Sequence, residues 1–148
     1  MVPDMEHDRG LQRLKATVQW YTAKRLKFYA EAEGLPVAVV ASQLVRLGLD
    51  SLEWRDEDRR KLARWEYREN WNVARHIPKP GESKRVAVAL EDYEIARVKE
   101  FAAGEFEDLS TGLNILIMYG FNSPYSSNRY WPKWQKFCRD FHAANRAA

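Results

Sequence analysis

The sequence has few of the residues that build a disulfide framework or a membrane span. Its 148 residues include one cysteine, Cys138, which excludes an internal disulfide and fits a reducing compartment. No apolar run approaches the length of a membrane-spanning helix, and the charged first residues contain no apolar signal region. These features predict a cytoplasmic protein that has no membrane partner.

Motifs for catalysis and for bound metals or phosphates are also missing. The three histidines have no close metal-ligand companions, although Cys138 and His142 stand at positions i and i+4. Ser42, Ser110 and Cys138 lie in no recognisable nucleophile motif, and the chain contains no glycine-rich phosphate loop. We therefore expect a protein that is not an enzyme and that uses no cofactor or metal.

Aromatic residues, in contrast, are abundant, and charge is unevenly distributed. Six Trp, seven Tyr and six Phe predict large buried contacts or an aromatic surface for a partner. The net charge of +3 divides into +1 for residues 1–55, +1 for 56–83, −3 for 84–123 and +4 for 124–148. The basic C-terminal segment therefore suits a polyanionic partner better than residues 84–123 do.

Residues 84–123 carry the clearest secondary-structure pattern, a strand followed by two helices. The run from Arg85 to Leu90 alternates with period two and predicts a strand. Its inward residues are Val86, Val88 and Leu90. Apolar residues then recur at helical spacing from Tyr93 to Ala102, and a second apolar helix ends near Gly120. Because a lone strand leaves backbone groups unpaired, this strand needs a partner.

Residues 11–53 repeat the same plan with a weaker pattern. A strand is predicted over Ala16 to Tyr21 because β-favouring residues are frequent there, although residues 11–22 also fit an amphipathic helix. Two helices follow, separated by Gly34, and the second begins with Pro36. The chain therefore contains an internal repeat of structure rather than of close sequence.

Two further segments complete a chain that we expect to form one compact domain over residues 1–148. Residues 54–83 predict an exposed linker helix from Arg59 to Ala74 and then a proline-rich turn. Residues 124–148 predict a loop and a C-terminal helix that begins at Pro132 and packs an aromatic face on the main body. The residues of that face are Trp131, Trp134, Phe137 and Phe141.

A strand followed by two helices, with a glycine before the second helix, resembles the ribbon-helix-helix family of DNA-binding proteins. In that family two copies pair their strands antiparallel, and the resulting ribbon enters the major groove. The resemblance implies a mainly α fold with a short two-stranded antiparallel ribbon. Both copies would lie on one chain as a tandem pseudo-dimer, with a linker helix and a C-terminal helix added. Such a chain is similar to tandem plasmid-transfer accessory proteins and phage regulators, and is expected as a monomer or homodimer.

The same resemblance implies which residues touch DNA. The outward strand residues, which read bases in the family, are Lys15, Thr17 and Gln19 in the first copy and Arg85, Ala87 and Ala89 in the second. The starts of the second helices, which meet phosphates, contribute Leu35 and Val37 in the first copy and Ser110 and Thr111 in the second. Lys, Thr and Gln suit base edges, whereas alanines offer only contact with a thymine methyl group. The simpler interpretation of the first trio is a solvated strand face.

Two functions remain as hypotheses. The first is a sequence-specific protein that binds double-stranded DNA, either a transcriptional regulator or a plasmid or phage accessory factor. The second is a phage- or plasmid-encoded effector that uses the same scaffold and aromatic surfaces to bind a host or partner protein. The repeat, the polar first strand and the basic tail favour DNA, while the acidic second copy favours a protein partner.

Overall fold

The computed structural model describes residues 11–53, 57–58, 60–65, 84–105 and 108–147. Its elements, in chain order, are β1 (Gln12–Val18), α1 (Trp20–Glu33), α2 (Val37–Ser51), β2 (Lys84–Leu90), α3 (Asp92–Glu105), α4 (Leu109–Phe121) and α5 (Pro124–Ala147). The two strands form a two-stranded antiparallel sheet. The predicted mainly helical fold with a short ribbon is thus confirmed. We call residues 12–51 the first unit and residues 84–121 the second unit.

The ribbon covers the core with one of its faces. Lys15 lies opposite Ala87 at the centre of the pairing, and the register runs from Gln12 opposite Leu90 to Val18 opposite Lys84. Successive side chains of a strand point to opposite faces, so alternate residues are inward. The fully buried inward residues are Ala16, Val18, Val86, Val88 and Leu90. The inward face of β2 is therefore the one that its period-two pattern predicts.

The predicted bounds of the first strand are wrong, because β1 ends at Val18 and a helix follows at once. The reason is local. The side-chain oxygen of Gln19 accepts a hydrogen bond from the backbone N–H of Thr22 (3.4 Å), which is a helix-capping contact. Trp20, which lies within the predicted strand, is instead buried in the first turn of α1. The aromatic residues Trp20 and Tyr21 are thus helical despite their β-propensity.

The C-terminal helix is also longer than predicted. It begins at Pro124 rather than at Pro132, which lies inside α5. Pro124 occupies the first helical position, where a missing N–H costs nothing. The turn between α1 and α2 agrees with prediction, since Gly34 adopts a positive φ of 68° there.

The predicted linker helix is described only at its start, where residues 57–58 and 60–65 are helical. The remainder of that helix and the proline-rich turn lie outside the described residues. Arg64 donates to the Oη atom of Tyr119 (2.7 Å) and to Glu57 (2.7 Å), so this segment contacts α4. Arg64 and Arg60 both donate to the Glu57 carboxylate, and these hydrogen bonds hold the pKa of Glu57 below its ordinary value.

Helices α2 and α4 cross closely at the centre of the core, at two glycines. A Cβ atom on Gly48 would collide with the carbonyl oxygen of Leu116, and one on Gly120 would collide with the carbonyl oxygen of Leu44. Gly120 follows Gly48 by 72 positions, and Leu116 follows Leu44 by the same 72. The two contacts are therefore reciprocal, and only glycine allows the backbones this close.

The same offset relates the side chains that hold the strand edges. The Ser42 Oγ atom accepts the N–H of Ala89 (2.9 Å), and the Asn114 Nδ2 atom donates to the carbonyl of Thr17 (2.9 Å). Asn114 follows Ser42 by 72 positions. An exposed strand edge invites pairing with another chain, and here polar groups of the facing helices occupy parts of both edges.

Among the described residues, no helix is by itself long and apolar enough to cross a membrane. The helices Thr22–Glu33 and Val37–Ser51 reach the length and apolar composition of a membrane span only when taken together, and they are bent by 104° at their junction.

Candidate nucleic-acid interface

The outward face of the ribbon collects cations and contains no carboxylate. Its cross-strand pairs are Arg13 opposite Ala89, Lys15 opposite Ala87 and Thr17 opposite Arg85. The four polar side chains are exposed, and the two alanines are half-buried. Because the strands are paired antiparallel, cations lie near both ends of the face and at its centre. Such a face can donate hydrogen bonds to acceptors on a flat or grooved anionic partner.

Arg13 belongs to this face but is absent from the residues predicted to contact DNA. The prediction missed it because the outward face was expected to begin at Lys15, two positions later. The signal that could have found it is the alternation of Arg13, Lys15 and Thr17 with the inward residues Leu14 and Ala16.

Gln19 does not lie on the outward face, and its predicted outward position is wrong. Its side chain is 3% exposed and caps α1, as described above. The strand ends one residue earlier, so the period-two pattern no longer applies at Gln19. A contact between this side chain and a base edge would require α1 to unwind at its start.

The starts of α2 and α4 differ in how their backbone N–H groups are satisfied. Helix α2 has Pro36 at its N-cap, without a side-chain capping hydrogen bond; Leu35 is exposed and Val37 is half-buried. Helix α4 is capped by Asp108, which accepts from the Ser110 N–H (3.1 Å). A helix start binds anions through free N–H groups and the helix dipole. In α4 a carboxylate of the chain itself already occupies that place.

The hydroxyls predicted to bind phosphate at α4 have partners within the protein. Thr111 donates to the second Asp108 oxygen (3.1 Å), and the Ser110 hydroxyl accepts the backbone N–H of Thr17 (3.0 Å). Ser110 thus ties α4 to β1. Phosphate binding at this helix start would have to displace these contacts and approach Asp108, whose charge opposes it.

A cavity of about 520 Å³ lies at the end of the ribbon where β2 begins. Four basic side chains line it: Lys24 and Lys27 from α1, with Lys84 and Arg85 from β2. Trp20, Ala23, Val37 and Val86 supply its apolar walls. The Lys24 ammonium lies 5.9 Å from the centre of the Trp20 ring. Because no acidic residue lines this cavity in the part of the chain that the structure describes, it is suited to an anion.

Two residues of the aromatic face of α5, Trp134 and Phe137, pack on Phe28 of α1. Trp134 is 3% exposed and Phe137 is half-buried, and their rings stack with centroids 5.0 Å apart. The Phe28 ring of α1 lies 5.6 Å from the Trp134 ring. The side chains of Trp131 and Phe141 lie outside the described part of the structure. The two described members of the face therefore contribute to packing, as predicted.

Large apolar or aromatic side chains are exposed outside α5. Leu62 and Trp65, in the helical segment before residue 66, are 48% and 52% exposed, and Tyr93 at the start of α3 is 63% exposed. Among the described residues, no three His, Cys, Asp or Glu side chains are grouped as a metal site would require.

Comparison of the chain with protein-family models, with curated proteins and with solved structures gave no match. What the ribbon and the cavity do must therefore be inferred from their own geometry and charge.

Proposed function

We propose that the chain is a sequence-specific DNA-binding protein that inserts its ribbon into the major groove. The observation that carries the proposal is the outward ribbon face, with Arg13, Lys15, Thr17 and Arg85 exposed and no carboxylate among the paired residues. The major groove is wide enough to admit a two-stranded ribbon. Lys15, at the centre of the face, suits the acceptor atoms of guanine, and the threonine suits several base edges.

We further propose that the two units form a single-chain ribbon-helix-helix pseudo-dimer. The strand pairing is centred on Lys15 and Ala87, which are 72 positions apart. A two-fold axis through that pair would exchange the two strands and the two glycine contacts. It would also exchange the hydrogen bond from Ala89 to Ser42 with the one from Asn114 to Thr17. Such a chain needs no second copy to complete its ribbon, which suits a regulator or a plasmid or phage accessory factor that acts as a monomer.

Because of the outward alanines of β2, the two strands contribute unequally to the proposed base contacts. Ala87 and Ala89 lie opposite Lys15 and Arg13, so β1 supplies most of the polar atoms of the central face. An alanine methyl group can contact the methyl group of thymine but offers no hydrogen bond. Recognition should therefore depend on β1 more than on β2.

The test is a fluorescence-anisotropy titration of a labelled duplex of mixed sequence at several salt concentrations. The wild-type affinity should fall steeply with salt, because phosphate contacts release counterions. Lys15→Gln should weaken binding by about 1–3 kcal/mol to a duplex selected from a random pool. Lys61→Gln is the control, since Lys61 is exposed on the helical segment 60–65, outside the ribbon. Identical isotherms for the wild type and Lys15→Gln on the selected duplex would contradict a ribbon that reads bases.

A second candidate function is supported by Leu62 and Trp65, which are about half exposed on one short helical segment. We propose, as the alternative, an effector that binds a host or partner protein through this apolar surface. Exposed large aromatic side chains are frequent anchors of protein interfaces. A partner that the wild type and Lys15→Gln both retain, and that Trp65→Ser releases, would favour this function over DNA binding.

A further inference from the structure

The two ends of the ribbon carry different charges at equivalent positions. At the end where β2 begins, the cavity is lined by Lys24, Lys27, Lys84 and Arg85. The residues 72 positions away, which belong to the opposite end, are Ala96, Lys99, Gln12 and Arg13 in the same order. Four cations at the first end therefore correspond to two cations at the second.

An acidic residue widens this difference. The counterpart of Trp20, which forms an apolar wall of the cavity, is Asp92 at the opposite end. The Asp92 carboxylate accepts a hydrogen bond from the Gln12 side chain and is exposed. The formal charge of the five compared positions is thus +4 at the first end and +1 at the second. Like charges around a concave, partly apolar wall reinforce the local potential for an anion.

We infer that the end of the ribbon lined by Lys24, Lys27, Lys84 and Arg85 is the phosphate-binding end of the molecule, and that the opposite end is not. Resting on the proposed function, this inference gives the complex a direction. One flank of the DNA site is held by its backbone phosphates at the cavity, and the other flank is held by the ribbon face alone. The DNA site therefore needs no inverted repeat, although the two units share one backbone plan.

The sequence supplies a matched pair of variants for the test. Lys27 and Lys99 occupy equivalent positions, in α1 and α3, and both are exposed. Each is replaced by Gln, and the salt dependence of binding to a mixed-sequence duplex is measured. Lys27→Gln should reduce the slope of log K against log salt by about one, the value of one lost phosphate contact. Lys99→Gln should leave the slope unchanged.

Two results on the duplex would overturn the inference. One is an equal loss of slope in both variants, which would mean that both ends hold phosphates. The other is an unchanged slope in Lys27→Gln and also in Lys84→Gln, which removes a second cation of the cavity. Thermal melts of all three variants check that each remains folded, and exposed lysines on α1, α3 and the start of β2 are tolerant sites for this exchange.

Inorganic pyrophosphate separates failure of the inference from failure of the proposed function. Chemical shifts of the wild type, Lys27→Gln and Lys99→Gln are followed by NMR while pyrophosphate is added. Binding that Lys27→Gln alone loses, in a protein that binds no duplex, would refute the DNA proposal and retain the phosphate-binding end. If Lys27→Gln alters neither pyrophosphate binding nor duplex binding, the inference is refuted while DNA binding by the wild type still stands. Loss of duplex binding alone in Lys27→Gln would identify the ligand as the DNA backbone.

Discussion

Helices α2 and α4 occupy equivalent places in the two units, yet they are covered to different extents. Helix α4 is buried at every position from Gly112 to Phe121, whereas α2 has exposed positions at Val39, Gln43 and Asp50. Other elements pack around α4, and Arg64 reaches its Tyr119 from the segment after α2. A helix that is apolar on all sides belongs inside a core. Helix α4 thus lies deeper in the core than α2.

The charged residues also differ between equivalent places. Two acidic residues of the second unit have partners within the protein: Glu94 pairs with Arg46 of α2 (2.8 Å) and accepts the Glu91 N–H (2.9 Å), and Asp108 caps α4. The cavity takes Lys24 and Lys27 from the first unit and Lys84 and Arg85 from the second. A shared backbone plan therefore does not imply shared chemistry, and the cations gather mainly at one end of the ribbon.

The largest expected effect concerns the contact of α5 with α1 of the first unit. Trp134 of α5 packs on Phe28, whose counterpart in the second unit is the exposed Glu100. Trp134→Ala should lower the free energy of unfolding by about 3–5 kcal/mol, because it removes a buried indole. Urea denaturation measures this change. A loss below about 1 kcal/mol, within the range of surface substitutions, would mean that α5 does not dock and that its aromatic face serves a partner.

The helix crossing tests whether the two units are equivalent in the core. Gly48→Ala and Gly120→Ala should each destabilise by about 1–3 kcal/mol, because each added methyl group meets a backbone carbonyl of the other helix. Gly104→Ala is the control, since nothing lies within 4 Å of a Cβ atom there. It should stabilise α3 by roughly 0.5–1 kcal/mol. A large loss of stability at one of the two glycines and none at the other would show that the two helix contacts are not equivalent.

The hydrogen bonds of Ser42 and Asn114 to the strand edges are expected to contribute less to the free energy of unfolding. Ser42→Ala leaves the N–H of Ala89 without its acceptor, and Asn114→Ala removes the donor to the Thr17 carbonyl. Each change should cost roughly 1 kcal/mol, the net value of one hydrogen bond. Hydrogen exchange offers a local readout, because Ser42→Ala should speed exchange at Ala89. Unchanged protection at Ala89 would show that the hydroxyl does not hold this edge.

The smallest effect concerns the helical segment before residue 66, which contacts α4 through Arg64. Hydrogen bonds from Arg64 and Arg60 lower the pKa of Glu57. A carboxyl whose pKa is lower in the folded state stabilises the fold above its unfolded pKa, and this stabilisation is lost as pH falls through the folded pKa. Because Glu57 is half exposed, solvent screens the pairs. Glu57→Gln should lower the melting temperature slightly at neutral pH and not at acidic pH. An equal decrease at both would assign the effect to something other than the charge.

The sequence predicts the parts of this fold that depend on local patterns. The alternation in β2 and the positive φ at Gly34 both follow from short stretches of sequence. The end of β1 was missed although its cause is also local, because Gln19 caps α1 and glutamine is not among the usual N-cap residues. The cavity was missed for a different reason. Its cations come from α1 and from β2, which are far apart in sequence and meet only through strand pairing.

NMR mapping with a mixed-sequence duplex tests most directly whether the ribbon and its basic end form the DNA-binding surface. Backbone amide shifts should change along residues 13–17 and 84–89 and at Lys24 and Lys27. At the start of α4, residues 108–111, the shifts should change little, except at Ser110, whose hydroxyl accepts the Thr17 N–H. The reason is that cations face the duplex at the first set, whereas Asp108 opposes phosphate at the second. Shifts confined to Leu62 and Trp65, or none at saturating DNA, would contradict DNA binding by the ribbon.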